Sequence, residues 1–401
     1  MNLIFALRNL LRHRRRTLAV VFTVAFGVGA LFIFHGFNTG VMNQYRDNTV
    51  RSRYGHAQVN SIGYRDQVFE KPWEHWIEDP DALVAELKTL DGVEQVFPRM
   101  NFFALLTNGE ITVSGRGQGV DGKEESKFFN TLNVEIGENL NTQVEGVLLG
   151  KGLATALKAK IGDRVTVMAN TVHGSINALD FEVIGVFHTG SKDFDDVVFR
   201  VQLPLAQELL DTHAVEAVSL AFSKVEDWDR VNHQFGERLK EYEITPFEVL
   251  DKIYYKHSVD WLQSQFGIIQ SIILVIVFLG IFNSISTSIF ERKQEIGTLR
   301  ANGEGRWDVF KLLCVEGGIL GLIGALVGLG IGVLVTHTLL GGGIFMPPAP
   351  GITRQFHVFI ELQASFALYA FTLGAGCALL STAIASLKVV RMDIASALRS
   401  V

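Results

Sequence analysis

Four stretches of this 401-residue chain contain no Asp, Glu, Lys or Arg: Thr17 to Phe37, Phe266 to Phe290, Gly317 to Leu340 and Ala364 to Leu387. Each exceeds the roughly 20 residues with which an α-helix crosses a bilayer core of about 30 Å. The missing charge therefore predicts a membrane protein with four spans. Cysteine is scarce as well. Cys314 and Cys377 lie in or beside spans, which excludes disulfides from the stability of the rest. Catalytic patterns are lacking too. No G-x-x-x-x-G-K-[ST] phosphate loop occurs, because Gly150-Lys151-Gly152 has neither the spacing nor the Ser/Thr, so the chain is not expected to hydrolyse ATP alone. The eleven histidines contain no H-E-x-x-H and no cysteine pair offers zinc spacing. The G-x-S-x-G elbow of hydrolases is absent. Asp193-Phe194-Asp195-Asp196 lacks the twelve-residue calcium-loop pattern and reads as a solvated loop. No catalytic residue, metal site or cofactor of the chain's own is expected.

What charge there is has sides. Residues 1–16 hold five arginines and no acid, the 291–311 loop holds five basic residues, and the tail holds Lys388, Arg391 and Arg399, whereas the 341–363 loop has only Arg354. Basic residues near span ends stay on the cytoplasmic side, so both ends and the 291–311 loop are expected inside. The 228 residues 38–265 are then outside. They carry 22 Lys and Arg against 35 Asp and Glu, a balance that does not invite nucleic acid. The expected order is a cytoplasmic amphipathic helix (1–16), a first span (17–37), the exterior domain with stalk helices (38–265), a second span (266–290), a cytoplasmic loop (291–311), a third span (312–340), an exterior loop (341–363), a fourth span (364–387) and a cytoplasmic tail (388–401). The first apolar run, at 21 residues, exceeds a usual signal-peptide core of about 7 to 15 and is read as a retained span.

The exterior domain reads as α+β in two lobes. Helices are expected over Asp79–Leu90, near Gly152–Lys158, over Pro204–Asp211 and over Asp227–Tyr242, with Asp227 capping the last. Asn108-Gly109 between Phe102–Thr107 and Glu110–Ser114 signals a hairpin, and Arg164–Met168 with Phe181–Val186 suggests a second strand pair. Asn38–Val50 and Val249–Gln265 are expected to be helical stalks.

The spans differ in kind. Gly317, Gly321, Gly324, Gly328 and Gly332 in the third, with Ala370, Gly374, Ala378 and Thr382 in the fourth, recur mostly at steps of four, which lets helix backbones approach closely. The second span is instead rich in Ile, Val and Phe and suits lipid or a greasy cavity. Glu316, an acid at a span boundary, needs a cation such as Lys311 or Arg300.

The loop after the second span reads Glu291-Arg292-Lys293-Gln294-Glu295-Ile296-Gly297-Thr298-Leu299-Arg300-Ala301-Asn302-Gly303, followed by Trp307, Phe310 and Glu316. It resembles the ER-x-x-EIG-x-LRA-x-G signature of ABC-transporter permeases in the macrolide-exporter, lipoprotein-release and cell-division FtsX superfamily. Glu304 stands where that family often has Ala, and Ile394 where its tail often has Pro. By itself the loop reads as a short helical piece bracketed by Gly297 and Gly303 that offers mixed charge to a soluble partner.

The resemblance implies a coupling helix, with Glu291, Arg292, Glu295, Ile296, Gly297, Leu299, Arg300, Ala301 and Gly303 seated against a separate ABC ATPase. It implies two permease protomers, alike or different, and two ATPase copies that hold the ATP and Mg. The setting would be a bacterial inner membrane, with the large domain in the periplasm facing an acceptor or adaptor protein. The chain most resembles lipoprotein-release subunits, in which lipid or an acylated protein would enter between the first two spans against Phe26, Phe32, Phe34, Phe37, Phe266 and Phe278. The alternatives are efflux of peptides, antibiotics or toxins through an outer channel, and signalling to a cell-wall hydrolase.

Overall fold

A computed structural model describes residues 12–67, 71–130, 132–140, 146–252, 256–347 and 355–392. Most of the expected N-terminal amphipathic helix and the end of the tail lie outside these residues. The chain divides into two units, one containing the four long apolar helices and the other spanning Gln44–Ser258 with a short return at Met346–Phe356.

In the helical unit, helix α1 runs Arg14–Thr49. Its 36 residues measure about 54 Å at 1.5 Å per residue, far beyond one bilayer core. Helices α7 (His257–Phe290), α9 (Arg306–Thr338) and α10 (Ala364–Val390) are the other three, with the short α8 (Lys293–Ala301) between α7 and α9. All four long helices are apolar enough to span a membrane. Part of the stalk expected over Val249–Gln265 lies outside the described residues; on either side of that part, a single turn, Phe247–Leu250, ends at Asp251 and α7 begins at His257.

The glycine stripe of α9 falls within an arc of about 80° at 100° per residue, yet it serves two neighbours in turn. A Cβ on Gly317 would stand 1.9 Å from Thr382 Oγ1 of α10, and one on Gly321 2.7 Å from Ala378 Cβ. Further along, a Cβ on Gly324 would meet Val24 at 2.6 Å and one on Gly328 the Ala25 carbonyl oxygen at 2.5 Å, both on α1. Gly374 of α10 in turn receives Val28 of α1 at 2.2 Å from its virtual Cβ. The three helices are thus in backbone contact, where dispersion replaces the hydrophobic drive that lipid removes. α7 packs differently. It lays Val277 on Gly27 and buries Ile281, Ile285 and Ile289, a stripe at steps of four, while Ile268, Ile272, Val275, Ile276 and Leu279 are 53–64% exposed.

In the other unit the strands are β1 (Ala57–Ser61), β2 (Val93–Thr107), β3 (Thr112–Val120), β4 (Asn133–Gly137), β5 (Gly146–Gly150), β6 (Arg164–Asn170), β7 (Ile176–His188), β8 (Val198–Gln202), β9 (Ala217–Phe222) and β10 (Tyr242–Pro246). The ladder β2-β3-β8-β5-β7-β6 returns to β2, closing a six-stranded ring. Its interior is filled by Phe102, Leu106, Val147, Val167, Phe181 and Phe199. Small residues make room inside it, and the Phe102 ring occupies the place a Cβ of Gly117 would take, 2.3 Å away. The first half of the long β2 pairs instead with β9, from which the sheet continues through β1 to β10, and there helices α2 (Pro80–Leu87) and α6 (Trp228–Arg238) cover a second core of Leu83, Leu87, Val218, Leu220 and Phe235. Helices α3 (Gly122–Phe128), α4 (Lys151–Leu157) and α5 (Leu203–Leu210) lie beside the ring.

Local chemistry explains the boundaries. Pro80 opens α2 and Asp79 caps the Ala82 amide at 3.1 Å. The Asn108-Gly109 hairpin has a four-residue loop, because Asn108 Oδ1 takes the amides of Glu110 and Ile111 and delays β3 to Thr112. Asp227 does not cap α6. It is the last residue of a 3₁₀ turn, Val225–Asp227, with helical backbone angles, and its carboxylate accepts from Lys224 N at 3.1 Å and Arg230 at 2.5 Å instead. Nor is the 193–196 run a solvated loop throughout. Asp195 is 3% exposed and accepts from Thr189 N at 2.9 Å and Thr189 Oγ1 at 2.8 Å; burial pushes its carboxyl up from the usual range. His56 stacks on Phe222, whose amide donates to His56 Nδ1 at 3.0 Å. Burial first, then Arg46 and Arg51, push this imidazole down to about 4.

Candidate functional site at the loop helix

The loop after α7 folds into α8 because its sequence carries both a stop and an apolar face. Gly303 sits at φ +97° just past the helix, its amide bonded to the Arg300 carbonyl and that of Glu304 to the Leu299 carbonyl, a paired C-terminal closure that favours glycine there. Gly297 therefore does not bracket the helix. It is buried in the middle of it, beside Ile296, which is 2% exposed and packs with Val20, Ile289, Leu313 and Val389.

The charges of α8 are used inward. Arg292, its side chain 10% exposed, reaches Glu316 of α9 with Nη1 at 2.5 Å and Glu295 with Nε at 3.0 Å. The cation for Glu316 is thus Arg292, rather than Lys311 or Arg300, because one turn of chain brings it back over α9. Glu295 Oε1 lies 3.1 Å from His13 Nε2, and Arg16 of α1 reaches Glu291 at 2.7 Å. Burial pushes the Glu295 carboxyl up, but Arg292 outweighs this and holds it below the usual range. Arg300 donates Nη1 to the carbonyls of Val390 and Met392 at 3.0 and 2.6 Å, closing the last turn of α10. Beneath Arg292 and Glu316 lies a cavity of about 40 Å³, lined also by His13, Arg16, Ser288 and Thr382. It exceeds the roughly 10–15 Å³ that one water requires.

Seven of the nine loop residues singled out from sequence, Glu291, Arg292, Glu295, Ile296, Gly297, Leu299 and Arg300, thus face or bond the bundle, Glu291 through its ion pair with Arg16. Glu291, Ala301 and Gly303 are exposed, as are Thr298, Glu304, Arg306, Asp308 and Trp307, the last at 67%. Sequence reasoning gave Trp307 no role, and only its exposure marks it.

The six phenylalanines do not share one wall. Phe266 of α7 meets Phe34 and Phe37 of α1 edge-on, with centroids 6.3 and 6.5 Å apart. Phe278 stacks on Phe282 of its own helix, Phe32 is buried against Gly332, and Phe26 is 80% exposed.

Against known families, residues 17–238 match the MacB-like periplasmic core domain, and residues 267–394 match the FtsX-like permease C-terminal region. The chain belongs to the ABC-transporter permeases of this type. An uncharacterized ABC transporter permease of Methanocaldococcus jannaschii is 23% identical, over 84% of this chain and 83% of its own. The lipoprotein-releasing system transmembrane protein LolC of Xylella fastidiosa is 25% identical, over 82% of this chain and 80% of its own. The solved periplasmic region of MacB from Actinobacillus actinomycetemcomitans overlaps 49% of this chain and 91% of its own, at 13% identity and a TM-score of 0.35. This ABC permease is therefore a membrane protein with an α+β extracytoplasmic domain, and its family implies an ATPase partner.

Proposed function

We propose that this permease converts ATP hydrolysis by a separate ABC ATPase, docked on the outer side of α8, into movement of its extracytoplasmic domain, and that the movement releases lipoproteins or lipids from the inner membrane. The observation that carries the reading is the set of ties on α8. Arg292 fastens it to α9, Arg300 to the end of α10 and the Glu291–Arg16 pair to α1, so a push on its exposed side reaches three spans at once. The partner holds ATP and Mg; this chain supplies no group to the chemistry. Two permease protomers and two ATPase copies form the working unit, with the domain, in two lobes between the first and second spans, meeting a periplasmic acceptor. The similarity to LolC over most of both chains supports lipoprotein as cargo. The exposed apolar side of α7, beside the Phe34, Phe37 and Phe266 rings, suits an acyl chain, since each buried CH₂ is worth about 0.8 kcal/mol.

The test is purification of the full chain in detergent, with mass spectrometry of bound proteins and lipids. An ATPase with acylated proteins supports the reading, and Trp307→Ala or Glu304→Arg should reduce ATPase recovery severalfold without unfolding the permease. An ATPase with an adaptor and a channel protein but no acylated cargo would turn the reading to efflux. Recovery of no ATPase would overturn it.

A further inference from the structure

A long helix normally loosens at its end, because its last four carbonyls lack intrahelical partners. After α1 the chain instead stays hydrogen-bonded through a wider, π-helical turn, Val50–Tyr54, closed by the Gly55 amide on the Val50 carbonyl at 3.0 Å. Gly55 has φ +74°, and a Cβ there would stand 2.7 Å from the Leu220 carbonyl oxygen, which accepts from the His56 amide at 2.8 Å. The chain therefore turns directly onto β9.

Two carbonyls of this turn meet buried guanidinium groups. Arg99 of β2 donates Nη1 to the Arg53 carbonyl, and Arg200 of β8 donates Nη2 to the Ser52 carbonyl at 3.4 Å. Glu125 of α3 lies between them, accepting from Arg99 Nε at 2.5 Å and from Arg200 Nη1 at 3.2 Å. The three side chains are 1%, 4% and 3% exposed for Arg99, Arg200 and Glu125. Gln118 takes Arg200 Nε at 3.0 Å, and Arg99 covers the Phe129 ring at 3.8 Å. From the turn itself Arg53 donates to Ser191 Oγ and lies over Phe194 at 4.7 Å.

Three buried charges are a poor way to gain stability, since desolvation offsets most of their attraction and apolar replacements are often as good or better. What guanidinium groups add is directed donors. Two of them, on different strands, aim at the carbonyls that a helix end leaves free, and their surplus positive charge faces the negative end of the helix dipole.

We propose that Arg99, Arg200 and Glu125 form an anchor that fastens the last turn after α1 to β2 and β8, so that displacement of that helix reaches the sheet instead of being absorbed by fraying. The anchor rests on the reading of this permease as a mechanical coupler and assigns three positioning residues to it.

Hydrogen–deuterium exchange on the full chain, purified with its ATPase, tests this with and without ATP and vanadate. Arg99→Lys and Arg200→Lys keep the charge beside Glu125 but lose the forked donors. Without nucleotide, amides 50–56 should exchange roughly five- to tenfold faster, the effect of one lost hydrogen bond, while the β5–β7 ring amides stay as in the unaltered protein. With ATP and vanadate, the nucleotide-dependent change in 57–61 and 217–222 should fall by at least half while ATP turnover persists. Unchanged exchange at 50–56 in a folded variant overturns the anchor, and so does equal loss of protection around the whole ring. Should Arg99→Lys not fold, Arg200→Lys, whose contact with Ser52 is the longer, carries the same test. If ATP alters nothing beyond residue 49 in the unaltered complex, the mechanical reading fails, and exchange at 50–56 without nucleotide still decides the anchor.

Discussion

Helices α9 and α7 are of nearly equal length, 33 and 34 residues, and equally apolar, with mean hydropathy 2.5 in each. A third of the most apolar window of α9 is buried inside the chain, against 11% for α7. The difference is shape rather than hydrophobicity. Lipid tails are as apolar as Leu, so a span is held by how closely its atoms approach its neighbours. Glycine at steps of four gives α9 backbone contact on two sides, whereas the Ile and Val of α7 keep all but one stripe at a distance. The closely packed helices suit a stiff element, and α7 is the span that leaves most of its apolar surface exposed.

The largest expected effect on that contrast lies at the base of α9. Arg292→Met or Glu316→Gln leaves an uncompensated buried group and should cost about 3–5 kcal/mol, seen as a lowered thermal midpoint in detergent. The Arg292→Met, Glu316→Leu pair should recover most of the loss. Next, Gly328→Leu must displace the Ala25 main chain, which cannot yield as a side-chain tip would. Overpacking of this kind costs about 1–3 kcal/mol or more. On α7, Gly267→Leu has nothing within 4 Å to meet and should leave the midpoint unchanged; an equal loss there would break the comparison.

The extracytoplasmic unit provides a reference outside both helices. His56, held neutral down to about pH 4, takes up a proton only when unfolded as pH falls from about 6.5. The unfolded state binds the extra proton, so His56 lowers stability as pH falls through that window, by up to about 1.4 kcal/mol per pH unit. His56→Asn should flatten this part of the acid limb in thermal scans without touching the α9–α7 contrast. The smallest effect belongs to Ile272→Ala and Val275→Ala on the exposed side of α7. Each should change the midpoint by no more than about 0.5 kcal/mol, while lowering the amount of acylated protein that co-purifies. Full retention of cargo would remove α7 from the proposed path.

Most elements were legible where one local signal governed them. Absent charge marked the four apolar helices, Asn108-Gly109 marked a hairpin, and Pro80 after Asp79 marked a helix start. Local signals failed where a distant group competed. Asp227 turned to Lys224 and Arg230, Asp195 left solvent for the Thr189 amide, and Glu316 found a cation 24 positions away. Of the site, the loop signature was recognisable, but its reading as a charged face was only half apt, since spacing cannot tell which side of a short helix meets the bundle.

Length, charge distribution and glycine spacing, all properties of chain segments, were enough to determine four apolar spans, a long acidic insert and the close packing of the third span on the fourth. Only the tertiary structure decided that one glycine stripe serves two neighbours, that Arg292 and Arg300 tie α8 to two helices, and that Arg99 and Arg200 converge on the turn after α1. These depend on where helices cross and strands close, and such meetings are set by packing over the whole chain rather than by any residue's neighbours in sequence.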